Sequence, residues 1–117
     1  MDELVKQLIG RLKQSVSFVE LRTASDRYLE AVLLRTHLEG CCRVLREVLG
    51  PPVKDFGQVA AFDAATQRAV DQVGGVRIEQ CLFFTQGDER QAGYAALWPW
   101  ASDATRVSLR TGLIELR

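Results

Sequence analysis

The chain carries one histidine, one methionine and three cysteines among 117 residues, and fifteen basic side chains balance fifteen acidic ones. Each scarcity removes a class of function. With only His37 available, a nucleophilic centre would need that imidazole beside a thiol or hydroxyl, and Cys81 is the one sensible partner. Neither an orienting group nor an oxyanion pocket can be located for it, so the reading leans away from an enzyme. An even charge balance leaves no excess of cations to neutralise phosphates, so no nucleic-acid partner is expected. No apolar run approaches the roughly 18–20 residues that span a bilayer, and Lys6, Arg11 and Lys13 interrupt any signal-like start. No membrane partner and a cytoplasmic location are expected, and an odd cysteine count fits a reducing compartment. Gly74-Gly75 precedes a strand pattern rather than opening a helix, so the phosphate-cradling geometry is missing. No cofactor is expected.

What is present reads as one α+β domain over 1–117. The last forty residues alternate apolar and polar positions in three runs: Val76, Ile78, Leu82 and Phe84; then Tyr94, Ala96, Trp98 and Trp100; then Val107, Leu109, Thr111 and Leu113. Polar breaks at Gln86–Arg90 and Ala101–Asp103 separate them, as in an antiparallel meander. Upstream, Asp2 caps an expected helix over 2–15 with a stripe of Val5, Leu8, Ile9 and Leu12. Residues 16–35 read as a hairpin turning at Ala24-Ser25-Asp26, against a rival long helix from Asp26 to Leu49. Thr36-His37-Leu38-Glu39 fits a capping box opening a helix that ends at Gly50-Pro51-Pro52. Asp63 caps a third, short helix closed by Gly74-Gly75.

The order helix, two strands, two helices, three strands gives a five-stranded antiparallel sheet. Placing the fifth strand beside the first yields the order 2-1-5-4-3 with helices packed on it. In this order of elements the chain resembles the PAS and profilin-like or roadblock class, and sensor domains of that class hold ligands between sheet and helices. Pro99 cannot donate to a ladder and is expected at a strand end, bulge or edge.

Both faces of the expected sheet carry apolar side chains. The alternate set, Cys81, Phe83, Ala95, Leu97, Ile114 and Leu116, must be covered either by the first helix or by another molecule. The leading functional expectation is a non-catalytic module that forms a homodimer or docks a protein partner through Phe83, Leu97, Trp100, Ile114 and Leu116. A small-molecule sensor with a cavity lined by Phe56, Phe62, Leu82, Phe84 and Trp98 is the alternative. Trp98-Pro99-Trp100 puts two indoles on one side of a strand, and such rings serve either as core or as an interaction hot spot. A weaker third reading places a metal or redox site at His37, Cys41, Cys42 and Cys81. There is no Cys-x-x-Cys and no second histidine, and both helix cysteines lie in an apolar stripe, so buried thiols are the expectation and no metal is assigned.

Overall fold

The computed structural model describes Met1–Arg117. The elements are helix α1 (Asp2–Ser15), strands β1 (Phe18–Ala24) and β2 (Tyr28–Leu34), helices α2 (Leu38–Leu49) and α3 (Ala64–Gln72), and strands β3 (Cys81–Gln86), β4 (Gln91–Pro99) and β5 (Arg106–Glu115). The hairpin reading of 16–35 holds, and so does the succession of helices and strands. Pro99 is the last residue of β4, where its missing N–H costs no ladder bond.

Local chemistry sets several boundaries. Asp63 caps α3, its carboxylate accepting the Thr66 amide at 2.8 Å. Gly50 ends α2 with φ at +83°, a left-handed conformation that favours glycine, immediately before Pro51. Two expected caps do not form. Asp2 lies inside the first turn of α1 with Met1 in the capping position. Thr36 and Glu39 make no capping box, because a short 3-10 turn at Arg35–His37 leads into α2 and occupies the backbone where the box would close. The run from Val76 is shorter than expected: Val76 and Ile78 belong to a loop, and β3 begins at Cys81.

All strands pair antiparallel in the order β1-β2-β5-β4-β3. The expected order had β5 beside β1; instead β5 lies along β2, from Tyr28 opposite Gly112 to Leu34 opposite Arg106. Gly112 permits this approach. A Cβ there would sit 2.4 Å from the Arg27 carbonyl oxygen, and that oxygen accepts the Leu113 amide at 2.8 Å. The arrangement departs from the profilin-like order that the succession of elements resembles.

Register also regroups the two faces. Leu97 pairs with Leu109 and with Cys81, and Ala95 with Phe83 and Thr111. These residues join Leu29, Ala31, Leu33 and Val107 on the face covered by α1 and α2. There they meet Val5, Leu8, Ile9 and Leu12 of α1 and Cys41, Val44, Leu45 and Leu49 of α2 in a cluster of 18 buried side chains. An exposed ion pair, Arg11 to Glu47, ties the two helices together outside it. The opposite face is covered over part of its area by α3, whose Ala69 and Val70 meet Phe84, Ala92, Leu82, Tyr94 and Leu116.

Phe83 and Leu97 are therefore 0% exposed beneath α1 and α2, and they are withdrawn from the expected interface. Ile114 and Leu116 lie on the other face, packed against the α3 layer, not beside Phe83 and Leu97. Alternation assigns sides within a strand, but only register says which sides of neighbouring strands belong together.

Candidate functional site on the open half of the sheet

The five expected cavity residues are not brought together. Phe56 packs at the margin of the α1–α2 core, Phe62 and Leu82 in the layer beneath α3, Phe84 beside Ala69, and Trp98 on the uncovered part of the sheet. The cleft that contains Phe62 measures about 120 Å³ and is walled by Lys54, Val59, Val76 and Ile78. That is below the roughly 300–1,000 Å³ of typical ligand sites.

The thiol reading fares no better. Cys41 and Cys81 are buried in the main core and Cys42 is half-buried beside them, all unpaired. Burial, reinforced by the neighbouring thiols, pushes Cys41 up to about 12; burial is also the main cause that takes Cys81 to about 12 and raises Cys42. Thiols held protonated are poor nucleophiles and poor metal ligands. His37 lies exposed at the start of α2, and no three His, Cys, Asp or Glu side chains are grouped to hold a metal.

The one charged side chain that is buried is Lys54, 4% exposed in the loop after α2. Its Nζ donates to the carbonyls of Asp55, Ile78 and Gln80 at 2.9, 2.6 and 2.5 Å. Its backbone bridges to Leu82 of β3. All three acceptors are backbone, so Lys54 is a clasp that holds the 54–80 loop against the outer edge of β3. Sequence inspection missed it because a lone lysine in a loop has no distinguishing pattern.

The uncovered half of the α3 face holds the other concentration of chemistry. Across the sheet, register aligns Glu20 of β1, Val32 of β2, Ser108 of β5 and Trp98 of β4 in one row, and Glu30, Arg110 and Ala96 in the next. Trp100, just past β4, donates its indole N–H to Ser108 Oγ at 2.7 Å. The guanidinium carbons of Arg22 and Arg106 lie 6.0 and 5.8 Å from its ring centre, the outer range of cation–π attraction. Trp98 and Trp100 are both half-buried: neither the core residues of one expectation nor freely exposed platforms.

Each arginine of this surface has a carboxylate of its own. Arg22 pairs with Glu20 at 3.3 Å, Arg106 with Asp103 at 3.2 Å, and Arg110 with Glu30 at 3.6 Å. Tyr28 completes the third pair, accepting from Arg110 Nε at 2.8 Å and donating to Glu30 at 2.9 Å. The Tyr28 hydrogen bond holds Arg110 above its ordinary value, while burial raises Tyr28. Asp103 also accepts the Thr105 amide and hydroxyl, contacts that lower its pKa and fix the turn carrying Arg106. A cleft of about 340 Å³ borders this surface, between Trp98–Ser102 and Arg77–Gln80. The result is an aromatic surface on which each arginine is matched by a carboxylate. Of the residues singled out from sequence, it contains Trp98 and Trp100; the arginines were missed because they belong to β1 and β5 and come together with the tryptophans only across the sheet.

No family model, curated protein or solved structure matches the chain. No helix is long and apolar enough to cross a membrane.

Proposed function

We propose that the protein is a non-catalytic interaction module that associates with a second copy of itself through the open half of its sheet, from Trp100 across to β1. The observation that carries this reading is Trp100, half-exposed on a sheet surface yet held in one orientation by Ser108 and flanked by Arg22 and Arg106. Tryptophan, tyrosine and arginine are the side chains enriched where proteins bind proteins, and pre-ordered aromatic anchors lose little entropy on binding. The charge pattern favours a second copy over an acidic or basic partner. A twofold interface sets one patch against itself, so the patch has to supply both signs. Three arginines and the three carboxylates of Glu20, Glu30 and Asp103 do so.

Light scattering over a concentration series tests the reading. The natural chain should move from monomer to dimer as concentration rises, and Trp100→Ala should remain folded with its transition displaced to higher concentration. A natural chain that stays monomeric to millimolar concentration overturns the proposal.

A further inference from the structure

The two edges of the sheet are treated differently. Beside β3, the Val53 and Lys54 amides donate to the Leu82 carbonyl at 2.9 and 3.3 Å, and the Leu82 amide returns to the Lys54 carbonyl at 2.9 Å. That edge is occupied by the chain's own loop, clamped by the Lys54 side chain. At the other edge β1 pairs only with β2, and no other segment is bonded alongside it. Six of its seven residues are exposed, including Val19 at 46% and Leu21 at 53%. An open edge is a template for a further strand, and natural sheets usually blunt it with charge or bulges.

β1 has both devices: irregularities against β2 leave Val19 and Arg22 without partners there, and Glu20 and Arg22 bring charge. Yet the order of those charges is specific. Glu20, Leu21 and Arg22 read acid, apolar, base. In an antiparallel copy the same residues read base, apolar, acid. Pairing centred on Leu21 therefore sets Glu20 of each copy opposite Arg22 of the other, Leu21 opposite Leu21, and Val19 opposite Thr23. Residues opposite one another project from the same face, and Glu20 and Arg22 already share the face that carries Trp100. An unrelated strand would meet one charge of each sign without this match.

We infer that β1 is a self-recognition edge: two copies join antiparallel through Phe18–Ala24, in the register that centres on Leu21, into one continuous ten-stranded sheet. This rests on the proposed self-association and specifies its geometry. Trp100 lies inward of Arg22, across β2 and β5, so it contributes to association from the sheet face beside the seam, and Arg22 turns from it to meet the partner's carboxylate.

Two charge variants and their mixture decide the matter. Glu20→Arg alone faces two like-charge contacts per dimer, Arg against Arg, and Arg22→Glu faces two of Glu against Glu. Each should dimerise more weakly by about tenfold or more, with unfolding curves close to that of the natural chain. Mixed in equal amounts, the two variants should form a heterodimer, because every opposed pair becomes Arg against Glu. Native mass spectrometry distinguishes the heterodimer by its mass. If both variants remain monomeric in the mixture, the register is wrong. If each still dimerises alone like the natural chain, the edge is not the seam; association that Trp100→Ala nevertheless weakens then keeps the proposed function and moves contact onto the sheet face. A natural chain that is monomeric throughout overturns both readings at once.

Discussion

The two faces of the sheet solve opposite problems with the same strands. Beneath α1 and α2, β2, β3, β4 and β5 present Leu, Val, Phe, Ala and Cys to two amphipathic helices, and 18 side chains close into one cluster. On the opposite face α3 covers clusters of 4 and 3 buried residues, and the remainder is spanned by Trp98, Trp100, Tyr28 and three arginine–carboxylate pairs. The first face holds the domain together through dry packing. The second keeps its polar groups mutually satisfied while leaving large side chains at the surface, which is the condition for binding without unfolding.

Substitution should expose this contrast most strongly at Phe83, fully buried on the helix-covered face. Phe83→Ala should destabilise the domain by about 3–5 kcal/mol through lost burial and the cavity left behind. The urea midpoint reports it, and a loss below ~1 kcal/mol contradicts the assignment of Phe83 to the core.

A pH series probes the same face without mutation. Cys41 and Cys81 stay protonated in the folded domain to about pH 12, and under α3 burial takes Tyr94 to about 12 as well. Unfolded, these groups release their protons earlier. Between about pH 9 and 12 the unfolded chain therefore binds fewer protons than the folded one, and stability falls as pH rises through that window. Below about pH 9 these groups contribute no pH dependence. Urea unfolding at pH 7, 9 and 10 should give a plateau and then a decline, and a thiol reagent at pH 8 should label half-buried Cys42 well before Cys41 or Cys81.

The smallest effect on stability should come from the open half. Trp100→Ala removes one indole hydrogen bond and a half-exposed ring, and should cost roughly 1–2 kcal/mol, well short of Phe83→Ala. Its larger consequence is expected in the concentration dependence of association. A loss of stability equal to that of Phe83→Ala would make Trp100 a core residue and remove the contrast between the faces.

Much of this architecture was legible in the chain. The stripe of Val5, Leu8, Ile9 and Leu12 marks α1, Asp63 marks the start of α3, Gly50-Pro51 marks the end of α2, and period-two runs mark β4 and β5. These signals are local: helix periodicity, cap chemistry and strand alternation depend on neighbours a few residues away. The candidate site was legible only as two tryptophans, because Arg22, Arg106, Arg110 and Ser108 acquire their meaning from strands adjacent in space and distant in sequence.

The sequence by itself determined which stretches form helices and strands, apart from the start of β3, and which side chains within each strand share a side, since those follow from backbone geometry and periodicity. Tertiary structure decided which sides face together. Leu109 could equally have stood with Trp98 or with Leu97; pairing opposite Leu97 sent it under the helices and left Trp98 on the far face. Alternation is indifferent to a one-residue offset, whereas burial is not. The close approach of the Arg27–Tyr28 backbone to Gly112 fixed β5 beside β2, leaving β1 at the edge with Glu20, Leu21 and Arg22 exposed.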